Sequence, residues 1–294
     1  MHDWSEIATQ ITETTGQSFE PETVKAVGGG CINQTYSVAN SRQQFFVKIN
    51  SADKLDMFAA EAAGLQEINH SKTLRAPQPI CWGQKRNNAW LVLEQLDLGA
   101  RSGSNPDELG AGLAAMHRTT ATQFGWSQDN TIGSTPQINT QSSNWVAFWR
   151  KHRLGFQLDL TQKNGHHGKL QQSGERLIEE LDCFFTTYTP VPSLLHGDLW
   201  SGNYAFTDTG EPVLFDPAVY YGDREADLAM TELFGGFPER FYSAYQHEYP
   251  LDSGYNTRKV LYNLYHILNH LNLFGGSYRQ QAEQMINVLL AEVR

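Results

Sequence analysis

The residues best suited to chemistry lie in Leu194-Leu195-His196-Gly197-Asp198-Leu199-Trp200-Ser201-Gly202-Asn203. An apolar pair leads into His-Gly-Asp, and Asn203 follows Asp198 by five positions. A second acid, Asp216, ends another apolar run, Val213-Leu214-Phe215. Phosphoryl transfer needs such a set. One carboxylate orients or deprotonates the attacking hydroxyl, and an amide oxygen and a second carboxylate hold Mg²⁺ against the nucleotide phosphates. Asp-x-x-x-x-Asn has the spacing of a kinase catalytic loop, and Asp216 stands where a kinase keeps its metal-binding Asp. Taken singly, the glycine-containing pairs mark turns. The combination of two strand-end acids and an intervening Asn is what points to catalysis.

Upstream elements must then supply the nucleotide side. Thr23 to Val27, Thr35 to Val38 and Phe45 to Ile49 have the composition of strands. Gly28, Gly29 and Gly30 sit between the first two, where glycine lets the backbone approach a phosphate; the same run would also serve as a plain flexible hairpin. Lys48 lies inside the apolar strand Phe45-Phe46-Val47-Lys48-Ile49. Alternation alone would point a Lys outward. Here the strand follows the glycines and precedes a helix over 53–69 that carries Glu61 among Ala59, Ala60, Ala62 and Ala63. This is the kinase arrangement in which the strand Lys contacts the α- and β-phosphates and pairs with a helix Glu. Ala89 to Leu96 forms a further strand. Glu94 and Leu96 at its end fall where a kinase hinge reads adenine, with the lobe boundary expected near residues 95–103.

The remainder is mainly helical. Helices are expected from Asn105-Pro106 to about Thr119, with Glu108 closing a capping box, and over 144–160 and 169–187. Residues 122–143 look irregular. Tyr204 to Phe206 and Val213 to Phe215 form a hairpin. Further helices are expected over 225–234, 238–248, 257–274 and 278–292. Only eight residues separate Asp216 from Glu225, too few for a long activation loop, so a small-molecule acceptor is favoured over a peptide groove. His266 and His270 have zinc-compatible spacing but no third ligand. They suit a polar wall facing the acceptor instead. The fold class is therefore α+β: a two-lobed, protein-kinase-like chain with a small antiparallel-sheet N-lobe over 1–97 and a mainly helical C-lobe over 98–294.

Composition narrows the partners. The chain has 294 residues, 40% hydrophobic, and a net charge of −10. That supports a sizeable core and disfavours a nucleic-acid backbone or an anionic membrane as partner. There are 3 cysteines, Cys31, Cys81 and Cys183, with no Cys-x-x-Cys pair, which fits a reducing cytoplasm. The N-terminal segment, with Asp3 and Glu6, lacks a signal-peptide core, and no apolar run reaches the about 18 residues of a membrane span.

With these motifs assembled, the sequence resembles the fructosamine kinase family over nearly its whole length. The resemblance rests on Gly28-Gly29-Gly30-Cys31-Ile32-Asn33, the segment His196 to Asn203, Phe215-Asp216-Pro217-Ala218, the segment Tyr221-Gly222-Asp223-Arg224-Glu225-Ala226-Asp227-Leu228-Ala229-Met230, and Leu268-Asn269-His270-Leu271-Asn272. It implies the aminoglycoside phosphotransferase-like variant of the kinase fold. It also implies ATP- and Mg²⁺-dependent phosphorylation of the 3-hydroxyl of a ketosamine, which destabilises the sugar–amine adduct and reverses glycation. Carried over, Asp198 would be the catalytic base, Asn203 and Asp216 the Mg²⁺ ligands, Lys48 the phosphate contact and Glu61 its partner. Trp200 would pack on the sugar or in the core. Asp223 would hold the catalytic loop or meet the substrate ammonium, and Asp227 would be structural. Pro-Ala after Asp216, and glycines without the G-x-G-x-x-G spacing, depart from protein kinases but agree with this family.

Two other readings share these residues: a phosphotransferase for another small amino-alcohol, aminoglycoside- or choline-like, and a nucleotide-binding pseudokinase. The intact Lys48, Asp198, Asn203 and Asp216 speak against the latter. Monomer and dimer both fit. Cys31, in the glycine loop, would link a dimer to redox state if it formed an intermolecular disulfide.

Overall fold

A computed structural model describes residues 4–28, 32–99 and 105–293. The chain divides into two compact units, Met1–Asn105 with Ala205–Pro217, and Pro106–Tyr204 with Ala218–Arg294.

The first unit begins with helix α1 (Trp4–Thr15). A five-stranded antiparallel sheet follows, built from β1 (Thr23–Val27), β2 (Gln34–Ala39), β3 (Gln44–Ser51), β4 (Pro79–Lys85) and β5 (Asn88–Glu94) in the order β1-β2-β3-β5-β4. Period-2 alternation on β3 sends Phe45, Val47 and Ile49 to one face, where they join Ile7, Ala8 and Ile11 of α1 in a common core. The Trp90 indole donates to Gln10 Oε1 at 2.7 Å and fastens α1 to the sheet. Lys48 points to the opposite face. Helix α2 (Leu55–Ser71) packs against β4 and β5, burying Phe58, Ala62, Leu65 and Ile68. Its alanines keep the crossing close enough for Glu61 to meet Lys48.

The hairpin over 205–217 returns to this unit long after α2 and β5 are complete. It pairs β9 (Tyr204–Phe206) with β10 (Pro212–Leu214). Its backbone joins that of the segment after β5 through Gly99 N–H to the Phe206 carbonyl, 3.0 Å, and Asp208 N–H to the Asp97 carbonyl, 3.0 Å. The division between units is therefore not a single cut along the chain.

The second unit is helical: α3 (Pro106–His117), α4 (Trp145–Trp149), α5 (Phe156–Lys163), α6 (Lys169–Glu179), α7 (Glu225–Leu233), α8 (Glu239–Glu248), α9 (Tyr255–Phe274) and α10 (Tyr278–Glu292). The expected helix over 144–160 reaches Lys163 and contains a π-helical stretch, Arg150–Gly155, between α4 and α5. A Cβ at Gly155 would lie 2.5 Å from the Arg150 carbonyl, so the widened turn needs glycine there. The expected helix over 169–187 stops at Glu179 and continues as a 3₁₀ turn, Leu181–Phe185. The Asn105 side-chain oxygen has no hydrogen-bond partner among the described residues, so the expected capping box does not form.

Residues 122–143 are less irregular than expected. They hold a short hairpin, β6 (Asn130–Ile132) with β7 (Thr135–Gln137). The buried strand β8 (Ser193–Leu195) pairs with β11 (Tyr220–Gly222), an element the sequence did not announce. Beneath them, Arg153 is fully buried, with its guanidinium 4.1 Å from the Tyr220 ring centre and 4.6 Å from that of Phe148. It donates to the Ile138 carbonyl at 2.7 Å and to Asn139 Oδ1 at 2.8 Å, which satisfies much of its charge inside the core. Among the described residues no helix is long and apolar enough to cross a membrane.

Candidate active site

In the first unit, Lys48, Glu61 and Asp216 come together from positions 13 and 168 apart in sequence. The Lys48 ammonium is 4% exposed, sits 2.5 Å from Glu61 Oε1, and also bonds Asp216 Oδ1. Burial alone would lower the Lys48 pKa; the adjacent Asp216 and Glu61 carboxylates outweigh it and hold the pKa above its ordinary value. One ammonium shared by two carboxylates leaves the group net negative. Burial, together with the Asp216 charge, accordingly raises the Glu61 carboxyl against the pull of Lys48.

Asp216 adopts φ of +50°, the left-handed region that Asp tolerates better than most residues. This turns the chain sharply at the end of β10 and brings the carboxylate back to Lys48. The side chain remains 55% exposed, so it can engage a further cation.

In the second unit, β8 delivers His196, Gly197 and Asp198. Two main-chain N–H groups of this loop donate to one buried carboxylate: His196 to Asp227 Oδ2 at 2.7 Å and Gly197 to Asp227 Oδ1 at 2.8 Å. His117 Nε2 lies 3.2 Å from Asp227 Oδ2, and its Nδ1 is 2.8 Å from the Tyr245 hydroxyl. Burial would raise the Asp227 pKa, but the His117 contact, the nearby His196 and the Gly197 N–H together lower it. Asp227 thus holds the loop. Gly197 has φ of +83°, and a Cβ there would lie 2.1 Å from the Ala218 carbonyl oxygen, so no side chain fits. The Ala218 N–H in turn donates to the His196 carbonyl at 2.8 Å.

Asn203 closes the loop. Its Nδ2 donates to the Asp198 carbonyl at 2.8 Å and approaches Asp198 Oδ2 at 3.3 Å. The amide nitrogen therefore faces Asp198, and the amide oxygen is the end left for a cation. Asp198 itself is only partly buried.

The remaining candidates fall differently. Trp200 is 38% exposed, and its ring lies so close over Gly202 that a Cβ there would meet it at 2.3 Å. Asp223 is corrected from substrate contact to scaffold. It is fully buried, accepting from Tyr188 at 2.8 Å and from Tyr262 at 2.5 Å, so its oxygens are taken by hydroxyls. Burial raises its pKa while those hydroxyls oppose the shift. Glu94 ends β5. Its N–H donates to the Gln78 carbonyl at 2.8 Å and its carboxylate meets Arg75 Nη2 at 2.5 Å, so the side chain is held by Arg75 and any adenine contact would fall to its main-chain carbonyl. Leu96 is buried, 8% exposed. Gly28 is exposed with nothing within 4 Å of a Cβ built on it, whereas Gly29, Gly30 and Cys31 lie outside the described residues.

His270 donates through Nδ1 to the His266 carbonyl at 2.7 Å, with its ring against Phe234, Phe274 and Tyr278. His266 is nearly buried, and burial together with the nearby His270 pushes its pKa down to about 3. Unfolded, it would titrate near its ordinary value of about 6.5. Below that pH the unfolded chain takes up a proton that the native chain refuses. The His266 contribution to stability is therefore complete above pH about 6.5 and is lost as pH falls toward 3. From this group alone, unfolding free energy should fall by about 1.4 kcal/mol per pH unit in that window. Urea titrations at pH 7 and pH 5 measure it. The slope in His266→Leu should be shallower by about one proton, and an unchanged slope would contradict the assignment.

Sequence reasoning missed Arg75 and Arg153. Neither sits in a motif, and their partners are far away in the chain. Tyr245, which supports Asp227 through His117, was equally hidden, whereas His117 near the end of α3 reads from the sequence as a structural histidine.

Known proteins match this chain along its whole length. The fructosamine kinase family profile covers residues 3–292. A Synechocystis protein described as a probable ketoamine kinase is 48% identical over 98% of this chain and 97% of its own. The chloroplastic protein-ribulosamine 3-kinase of Arabidopsis thaliana is 43% identical over 93% of this chain and 84% of its own. Among solved structures, a candidate fructosamine-3-kinase from Haemophilus somnus superposes with a TM-score of 0.90 at 28% identity, covering 98% of this chain and 97% of that one. Aminoglycoside phosphotransferase APH(4)-Ia, at 12% identity and a TM-score of 0.62 over 99% of each chain, shares the two-lobed α+β kinase-like fold alone. The chain belongs to the fructosamine kinase family.

Proposed function

We propose that the protein is an ATP-dependent kinase that phosphorylates the 3-hydroxyl of ketosamines, ribulosamine or fructosamine adducts of amines or protein lysines. The observation that carries the phosphoryl-transfer half is the buried Lys48 ammonium held between Glu61 and Asp216. This is the charge arrangement a kinase uses to hold nucleotide phosphates and their metal. The acceptor half is supported by relatives named ketoamine kinase and protein-ribulosamine 3-kinase.

In this reading Lys48 binds the phosphates and Glu61 fixes its direction. Asp198 orients the sugar hydroxyl and accepts its proton as the bond to phosphorus forms. Asn203 and Asp216 would hold Mg²⁺, which neutralises charge on the phosphates. An amide oxygen and a carboxylate are hard donors suited to that ion. Trp200, exposed two residues after Asp198, offers an apolar ring to the sugar, and His270 a neutral imidazole, burial lowering its pKa.

The test is the position of the new phosphate. Incubation with ATP and fructose-lysine or ribulose-lysine, followed by phosphorus-coupled NMR of the product, should place the phosphate on carbon 3. Phosphate on another carbon would remove the 3-kinase reading.

A further inference from the structure

Arg75 lies in the link between α2 and β4, outside every recognised motif. Its place is fixed from α2: the Asn69 side chain donates to the Ala76 carbonyl at 3.0 Å and accepts from the Ala76 N–H at 3.0 Å. From that anchored position Arg75 reaches two other segments. Its guanidinium joins Glu94 Oε1, at the end of β5, at 2.5 Å, and Glu211 Oε2, in the turn before β10, at 2.9 Å. Its carbonyl accepts the Leu214 N–H at 2.9 Å, and it forms a parallel bridge with Val213. Leu214 is two residues before Asp216.

The other strand of the hairpin is held by Asp97 and Gly99. Arg75 is thus the attachment of the strand that leads to Asp216, and it comes from the same helix–strand link that follows Glu61. We propose that Arg75 is a positioning residue: it sets Asp216, and through it the nucleotide-bound cation, relative to Lys48 and Glu61. This rests on the reading of Asp216 as a metal ligand.

The ion pairs themselves are partly exposed, so their direct worth to stability is small. Geometry is another matter. Removing a group hydrogen-bonded directly to a metal ligand typically costs about 10–100-fold in metal affinity; Arg75 acts on Asp216 through the hairpin, so the lower end of that range is expected. A positional role and a merely structural one therefore separate.

The experiment uses the full chain and calorimetric binding of ADP with and without Mg²⁺. In Arg75→Met, the factor by which Mg²⁺ tightens ADP binding should fall about tenfold, while metal-free ADP affinity stays within about twofold and the thermal midpoint within a few degrees. Arg75→Lys, which cannot hold both carboxylates in one fork, should be intermediate. Lys85→Met, which removes a surface pair to Glu6, should change none of these. Glu211→Gln removes one arm at an exposed turn and should shift the Mg²⁺ factor in the same direction by less, which keeps the test open if Arg75→Met does not fold.

Asp216→Asn separates the two levels of the argument. An unchanged Mg²⁺ factor in Asp216→Asn would overturn the metal-ligand reading itself. A lowered factor in Asp216→Asn, with unchanged factors in Arg75→Met and Glu211→Gln, would overturn the role of Arg75 alone.

Discussion

Asp198→Asn is expected to lower kcat by about 10²–10⁴-fold, the usual worth of a positioned general base, while ADP binding changes by less than about threefold. The asymmetry follows from the loop. The backbone bonds that shape it run from His196 and Gly197 to Asp227, and from Asn203 to the Asp198 carbonyl. None requires the Asp198 carboxylate. Asn203 approaches that carboxylate at the longer distance of 3.3 Å. The substitution should therefore remove the proton acceptor and leave the scaffold standing. Thermal unfolding, steady-state kinetics and calorimetry on the same preparation check it. Activity near wild type would remove Asp198 from its role; loss of both fold and activity would place it in the scaffold.

Lys48→Met is expected to reduce kcat/KM for ATP by about 10²–10³-fold, as when a preorganised electrostatic contact to a reacting group is lost. It should also lower stability, because Glu61 would keep a largely buried charge without its partner. Breaking a fully buried pair costs about 3–5 kcal/mol. The cost here should be smaller, since Asp216 is half-exposed and Glu61 is not wholly enclosed. A companion variant separates the two effects. Lys48→Met combined with Glu61→Gln removes the stranded carboxylate and should recover much of the stability without recovering activity. Recovery of activity along with stability would mean that Lys48 serves the fold and not the phosphates.

Much of this arrangement was legible because local pattern and chemistry agreed. The alternation of Phe45, Val47 and Ile49 fixed which way Lys48 points, and the alanines around Glu61 announced a close helix crossing. The spacing of Asp198 and Asn203 survives as a hydrogen-bonded loop. Longer helices such as α9 and α10 carry apolar stripes that sequence periodicity detects.

Other features depended on distant partners. Asp223 looked available beside a charged run, but its partners, Tyr188 and Tyr262, lie 35 and 39 residues away. Glu94 sat at a promising strand end, and only the fold shows Arg75 against it. Strands β6, β7 and β11 are three residues each, too short for alternation to register. The π-helical stretch is marked in the sequence by little more than Gly155. The hairpin that ends in Asp216 could be seen as a hairpin. Its attachment to the link after α2 could not, since the Arg75–Glu211 contact spans 136 residues.

The most direct test is acceptor-dependent ATP consumption by the purified protein with Mg²⁺, across ribulose-lysine, fructose-lysine, an aminoglycoside, choline and no acceptor. Turnover with the ketosamines alone is the predicted result, and the ratio of the two rates names the preferred sugar. Turnover with the aminoglycoside or choline, and none with either ketosamine, would contradict the account while leaving its phosphoryl-transfer residues in place.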